Sequence, residues 1–588
     1  MREGFEMSRI EGSDTYCNVP DSRGLNVFRA DPALAALVRL YAPPALHDVL
    51  LPQLDRMGSL VGDRLETLAL SADQNTPKLA LRARTGAPDE RIEKHPDYQE
   101  LERFAFGEFG LAAMSHRAGV FGADAPLPPI AKYALVYLFV QAEFGLCCPL
   151  SMTDSLTRTL RKFGSDELIA RYVDRLTSQD MDALYQGAMF MTEQVAGSDV
   201  GAIETTARQD GETWRLSGDK WFCSNPDAAL AMVLARPEGG GTGTRGLSLF
   251  LLPRHLPDGR RNDYRIVRLK EKMGTRSMAS GEIVMEGAEA YLVGDPGQGF
   301  KQMTDMINMS RLANGVRSAG LMRRAVGEAL FIARHRTAFG KSLSDMPLMR
   351  RQLVKMLLPA EQGRSMVFHT ARVLQQSDAG DAEMAKVVRI LTPLIKFRTC
   401  RDARKVAGDA MEVRGGCGYI EEFSDARVLR DAHLGSIWEG TSNIVALDVA
   451  RASHRTGALD ALTRYLRDLL GGVDAPLAAE LDDALTRAVA LMGQTAEGEA
   501  EVRRAASALY HVTSAIFLAW EGAQLDDAAV ARDRSRLASL VLSHILTPRD
   551  PLGAVEVEPD WLDGLLRRAG IDDFSTPDFS TADEGAST

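Results

Sequence analysis

The chain runs to 588 residues with a formal net charge of −11, 45% apolar and 25% charged side chains. The length exceeds one ordinary domain, and the composition is that of a soluble globular protein of three or four packed units. The negative balance argues against a generally nucleic-acid-binding surface while leaving a local basic patch open.

In chain order, an irregular lead extends to about residue 32. Apolar residues at helical spacing over 33–40, 46–70, 98–118, 130–143 and 156–163 predict an all-helical first domain, 1–185 with its lead. Over 186–298 the pattern changes. Apolar clusters at 213–217, 231–235, 247–252 and 281–285 stand between turn signals such as Asp210-Gly211 and Asp258-Gly259, which predicts a compact antiparallel β domain. Long helical periodicity returns over 299–453, best at 316–334 and 348–374, and predicts a bundle. The remainder, 454–588, is helical in pattern and holds 12 Arg, no Lys and 23 Asp plus Glu, so it carries the net charge of the whole chain. Its final fifteen or so residues read as disordered.

Several chemistries lack their residues. The cysteines, Cys17, Cys147, Cys148, Cys223, Cys400 and Cys417, show no C-x-x-C spacing and no histidines at zinc-ligand intervals. They are read as buried small residues of a reducing compartment, and no metal site is expected. The start has no apolar signal region, and no run reaches the roughly 20 residues of a membrane span, so the expectation is a cytoplasmic protein. Gly241, Gly243 and Gly246 fit G-x-G-x-x-G, but a strand pattern follows where a dinucleotide fold needs a helix; a flexible β-loop is expected. No nucleophile elbow, Walker A loop or H-E-x-x-H occurs. The ten histidines are scattered, and most are expected at the surface or at caps.

One carboxylate stands out. Glu439 lies between Trp438 and Gly440, a seat where lost solvation would raise its pKa toward neutrality, as a general base requires, and where Gly440 lets a ligand approach the backbone. Taken alone, an acid at a helix N-terminus is the competing reading.

Five segments in order carry a resemblance: MTEQVAGSD at 191–199, GDKWFCSN at 218–225, RTAFGK at 336–341, MEVRGGCGY at 411–419 and WEGTSN at 438–443. Together with the order helical domain, β domain, helical bundle, they resemble the acyl-CoA dehydrogenase superfamily over roughly 100–453. The implied fold is mainly α with a central β domain, four-helix bundle and C-terminal helical extension. The implied activity is α,β-dehydrogenation of an acyl-CoA by FAD, giving a trans-2-enoyl-CoA, with Glu439 as base and its backbone N–H binding the thioester oxygen. By the same resemblance Met191, Thr192, Phe222 and Ser224 form the flavin floor, and Ser198 touches both FAD phosphate and CoA. Arg336 and Phe339 hold the FAD of a neighbouring subunit, Gly415-Gly416 approach its diphosphate, and Thr441 and Asn443 complete the shell. A helix C-cap is the alternative for the glycine pair. Arg311 and Gly440 are implied on the substrate side. A shared FAD implies a homo-oligomer, a tetramer by family habit, and an electron-transferring flavoprotein as acceptor, with dioxygen as the alternative.

Departures narrow the branch. Gln194 and Val195 replace the usual Pro-Gly; Glu412 replaces a Gln that reaches the partner's FAD, a charge that Arg414 or Arg336 would have to offset. Met346-Pro347 stand where His-Gln or Gln-Gln is usual, and Asn308 replaces an Asp. The segments 257–262 and 268–280, His95-Pro96-Asp97-Tyr98 and the extension look like the alkylation-response AidB-like branch. That branch raises a second function, a DNA-associated flavoprotein with weak or no dehydrogenase activity. The acidic extension, where Arg503-Arg504 sit close to Glu499 and Glu501, disfavours DNA, and dehydrogenase ranks first. A flavin-dependent hydroxylase or nitroalkane oxidase is a weaker third reading, since such enzymes lack this Glu or carry Asp.

Overall fold

The computed structural model describes residues 19–496, 498–548, 552 and 561–570. Cys17, most of the irregular lead and the tail expected to be disordered lie outside the described residues.

The first unit comprises α1 (Pro32–Tyr41), α2 (His47–Gly62), α3 (Arg64–Gln74), a hairpin of β1 (Lys78–Arg82) and β2 (Pro88–Glu93), then α4 (Pro96–Glu102), α5 (Pro129–Phe139), α6 (Cys147–Phe163) and α7 (Asp166–Leu176). It is therefore not all-helical. The hairpin's Leu79 and Ile92 pack on the core of the β unit, and its Glu90 accepts from Arg254 at 2.7 Å and from Ile266 N at 3.0 Å. The expected helix over 46–70 is two helices, broken at Asp63 (φ −136°, ψ −85°). The one expected over 98–118 ends early: a π-helical turn, Arg103–Glu108, follows α4, and turns follow that.

The β unit holds β3 (Gly187–Phe190), β4 (Thr206–Asp210), β5 (Thr213–Ser224), β6 (Leu230–Pro237), β7 (Ser248–Pro253), β8 (Tyr264–Leu269) and β9 (Ser280–Val293). The strand order is β3-β6-β4-β5-β9-β7, with β8 on β9; β6 also pairs β7, so the path closes on itself around Leu216, Val233, Phe250 and Ile283. The sheet is mixed: β6 runs parallel to β3 and β4, and the other pairings are antiparallel. The glycine-rich stretch is a 3-10 turn, Thr244–Gly246, that leads straight into β7, the β-loop read from the sequence.

The bundle begins with α8 (Gly299–His335), buried nearly all round as the central rod of a helical layer must be. A two-residue hairpin, β10 (Thr337–Ala338) with β11 (Lys341–Ser342), precedes α9 (Pro347–Asp378), α10 (Ala382–Arg414), α11 (Asp425–Gly435) and α12 (Ser442–Arg455). The extension supplies α13 (Ala458–Leu470), α14 (Ala475–Gln494), α15 (Val502–Gln524), α16 (Ala528–Val541) and α17 (Trp561–Arg568).

The extension is fused to the bundle by buried polar chemistry. Arg534 of α16 donates to Glu521 of α15 at 2.8 Å and pairs with Glu361 of α9. Glu521 also accepts from Tyr41 of α1 and Ser365 of α9, each at 2.8 Å. Since the Tyr41 proton goes to Glu521, its oxygen must accept from His369 Nδ1 at 3.1 Å, leaving His369 Nε2 to accept from Tyr465 at 2.7 Å. Burial drives the His369 pKa well below its usual value, consistent with that neutral tautomer. His369 and His511 thus depart from the surface or capping places expected of most histidines. Among the described residues no helix is long and apolar enough to cross a membrane, and no three His, Cys, Asp or Glu side chains gather as a metal site.

Candidate active site

Glu439 sits on the loop between α11 and α12, three residues before the first helical residue of α12, so it is not a first-turn helix acid. Its φ is +55° and that of Gly440 is +104°. A Cβ on Gly440 would meet Val445 at 3.1 Å, so the turn has room only for glycine there. A non-glycine residue held in the left-handed region stores strain that neighbours must offset. Two cations do so. Lys396 of α10 donates from Nζ to the carbonyls of Gly435 at 2.6 Å and Gly440 at 3.1 Å, clamping both ends of the loop. Arg311 of α8 donates to the Glu439 carbonyl at 3.2 Å and pairs with Asp448 at 2.7 Å. Burial lowers the pKa of both cations.

The Glu439 carboxylate is half-buried rather than enclosed. Its two oxygens are met by Ser310 and Asn314, one turn apart on α8. Its orientation is therefore set by hydrogen bonding, in place of the apolar seat beside Trp438 expected from the sequence. Trp438 instead stacks on Phe144, ring centroids 5.8 Å apart.

Burial pushes the Cys148 thiol up, and the Glu439 carboxylate acts on it in the same direction. On the rim of the β unit Met191 and Thr192 leave β3, and the Thr192 carbonyl accepts from Trp221 N at 2.8 Å. Phe222 is 56% exposed at the end of β5, and Ser198 is exposed on the loop between β3 and β4. Glu193 braces this segment, accepting from Lys220 at 2.6 Å, Thr205 at 2.5 Å and Glu204 N at 2.7 Å.

Behind the loop, Asp431 of α11 accepts from Thr275 N at 2.6 Å and pins the β8–β9 connection to the bundle. Burial, opposed by Arg427 and reinforced by Glu143, raises its pKa to about 7. Lys272, on that connection, is pushed down to about 8 by burial.

A second surface gathers the other candidates. Arg336 follows α8 and donates from Nη1 to the Arg414 carbonyl at 3.0 Å, while its Nε is buried without a partner. Phe339, φ +51°, is 97% exposed at the hairpin tip. Gly415, φ +73°, is the C-cap of α10, bonding Glu412 O, and so satisfies the helix-end reading as well. A Cβ on Gly415 would meet Arg336 Nη1 at 3.3 Å, whereas Gly416 faces open space. A pocket of about 300 Å³ lies between Arg336, Arg414, Gly416 and Cys417. Glu412 is exposed, and Arg414 is not free to offset it, being committed to Glu328 at 2.6 Å and Asp425 at 2.7 Å. Thr441 and Asn443 are exposed around the start of α12. The exposed phenyl rings of Phe222 and Phe339, an orphaned guanidinium N–H and the open space beside Gly416 fit a ligand having an aromatic ring and a diphosphate, as FAD does.

Sequence reasoning missed Ser310, Asn314, Arg317, Lys396 and Cys148. The first three follow i, i+4, i+7 along one face of α8, but that helix also buries Arg311, Ser318, Arg323 and Arg324, so the spacing alone does not single them out.

The fold agrees with comparisons to known proteins. The acyl-CoA dehydrogenase C-terminal domain profile matches residues 297–454, the acyl-CoA dehydrogenase middle domain 188–288, and the adaptive response protein AidB N-terminal domain 18–183. Acyl-CoA dehydrogenase family member 11 of Caenorhabditis elegans is 33% identical over 76% of this chain and 74% of its own length. The putative acyl-CoA dehydrogenase AidB of Escherichia coli K12 is 36% identical over 58% of this chain, which spans 64% of that protein. A crystal structure of C. elegans ACDH-11 in complex with C11-CoA superposes with a TM-score of 0.84 at 28% identity, covering 91% of this chain and 94% of that one.

Proposed function

Because the chain belongs to the acyl-CoA dehydrogenase family, in its AidB-like branch, we propose that it removes the α and β hydrogens of an acyl-CoA thioester to give a trans-2-enoyl-CoA. The observation that carries this reading is the Glu439 carboxylate, aimed by Ser310 and Asn314 on a loop clamped by Lys396 and Arg311. Glu439 takes the α-proton on a carboxylate oxygen, and its backbone N–H holds the thioester oxygen as charge develops there. Gly440, at φ +104°, continues the left-handed turn that carries this N–H. Arg311, tied to Asp448, acts on the loop through the Glu439 carbonyl, so its role is to position the base. FAD, when bound, would supply the hydride acceptor. Met191, Thr192, Phe222 and Ser224 would hold its ring, with Ser198 on phosphate and CoA. Arg336, Phe339, Gly415, Gly416, Thr441 and Asn443 would hold the rest, from a neighbouring copy in a homotetramer. Glu412 would stand beside the diphosphate without help from Arg414. An electron-transferring flavoprotein would then reoxidise the enzyme.

DNA association ranks second. Several surface arginines of the extension already meet carboxylates of the same chain, as in Arg467–Asp482 at 2.8 Å and Arg504–Glu501 at 2.5 Å, which reduces the charge left for phosphates. The test is an oxygen-free visible titration with a panel of acyl-CoAs. Bleaching of the flavin band, reduced about 10²–10⁴-fold in rate by Glu439→Gln with flavin content retained, supports the reading; a flavoprotein that no thioester bleaches or binds overturns it.

A further inference from the structure

We propose that the acyl side of this site takes a thioester whose tail ends in a hydrogen-bond acceptor, a carboxylate above all, received by the guanidinium of Arg317; the proposal rests on the thioester reading above. Ser310 and Asn314 hold Glu439, and Arg317 continues the same face of α8 one turn further on. Arg317 is 0% exposed. Its Nε donates to the Ala313 carbonyl at 3.2 Å, its Nη2 reaches Ser151 Oγ of α6 at 3.4 Å, and its Nη1 is buried without a partner.

The other fully buried arginines behave differently. Arg364 pairs with Asp31 and Glu361, Arg427 with Glu66, and Arg534 with Glu361 and Glu521. Among the described residues Arg317 forms no ion pair with a carboxylate, and the oxygens of Glu439 are taken by Ser310 and Asn314. The guanidinium lies 4.8 Å from the Trp438 ring centroid and 5.7 Å from that of Phe144. Such contacts satisfy the flat face of the cation and do nothing for the in-plane N–H groups of Nη1. The indole Nε1 of Trp438, the neighbour of Glu439, is likewise buried with no acceptor. Two donors, Arg317 Nη1 and Trp438 Nε1, one of them charged, therefore belong to side chains in contact beside the base and lack any acceptor. A buried charged donor left unpaired is costly, and an anionic tail would supply both the missing bonds and the missing counter-charge.

The flavin-loaded protein, with dioxygen excluded, would be titrated calorimetrically with mono-CoA thioesters of the C4–C8 dicarboxylic acids and with length-matched alkanoyl-CoAs, the flavin spectrum being read in parallel. At one length or more the carboxylate-tailed thioester is expected to bind at least about tenfold tighter than its alkyl match. Arg317→Met should abolish or invert that ratio, and Arg317→Lys should keep most of it. Alkanoyl-CoAs that bind and bleach the flavin with no carboxylate preference at any length would overturn this proposal alone, as would an unchanged ratio in Arg317→Met. Failure of both series to bind would overturn the thioester reading and this proposal with it. Should Arg317→Met not fold, the wild-type series and Arg317→Lys decide.

Discussion

Replacing Lys396 by Met separates the placing of Glu439 from its chemistry. The ammonium makes two bonds to the carbonyls that open and close the Glu439 loop, at 2.6 and 3.1 Å. Charge-assisted bonds of this kind contribute about 1.5–3 kcal/mol each. Much of that gain offsets the cost of taking the ammonium out of water, since Lys396 is only 2% exposed and burial pulls its pKa down. The net loss in global stability is therefore expected to be small, about 1–2 kcal/mol by denaturant unfolding. The local effect is larger, because the carboxylate is then aimed by Ser310, Asn314 and Arg311 from a loop with both ends loosened. A displacement near 1 Å is expected to slow proton abstraction about 10²-fold. Rapid mixing of the flavin-loaded variant with excess thioester reads that rate, exchange of the α-hydrogen with D2O reads the base separately, and spectral titration reads affinity. A folded Lys396→Met protein that binds thioester and exchanges and bleaches at the wild-type rate would refute the clamp.

Three further outcomes follow from the same geometry. Asp431 has a folded pKa of about 7 against an ordinary 3.8, so its stabilising contribution is complete below pH 4 and is lost as pH rises through 7. Asp431→Asn should therefore gain on the wild type between pH 4 and 8, by about 2–4 kcal/mol at the upper end, and parallel melting curves across that range would contradict this. Glu521→Leu strips the acceptor from Tyr41, Ser365 and Arg534 and should cost about 3–5 kcal/mol, measured by chemical denaturation; a loss below about 1 kcal/mol would count against the buried network. Gly440→Ala places a Cβ at 3.1 Å from Val445 at φ +104°, and should lower the α-hydrogen exchange rate more than it lowers melting temperature; unchanged exchange would show the turn to be tolerant.

What the sequence made legible follows from the range of each interaction. Long apolar periods in α8 and α9 and the turn-bounded strands β5, β6, β7 and β9 are local patterns, and they read directly, whereas β8 did not. The β1–β2 hairpin did not, because its ordering contacts, Glu90 with Arg254 and Ile266, come from residues more than 160 positions away. The motif around Trp438 pointed to Glu439 but not to what holds it: Ser310, Asn314 and Lys396 are single polar residues in buried helices, marked only by the fold that brings them to one loop. The expectation of an apolar seat failed for the same reason, since neighbours in sequence, such as Trp438, turn elsewhere and stack on Phe144. Arg414 looked available to Glu412 in sequence, and in space it belongs to Glu328 and Asp425.

The bond between Tyr41 and Glu521 spans 480 positions. At a ribosomal rate of about 5–20 residues per second, Tyr41 leaves the exit tunnel about 25–100 s before its acceptor exists. Until α15 and α16 arrive, Tyr41 and Ser365 lack their acceptor and Glu361 lacks Arg534. The nascent chain therefore has to be shielded for most of its synthesis, and its last helices act as the closing event of assembly. A truncation lacking α15 and α16 would be a substrate for chaperones and proteases instead of a smaller enzyme.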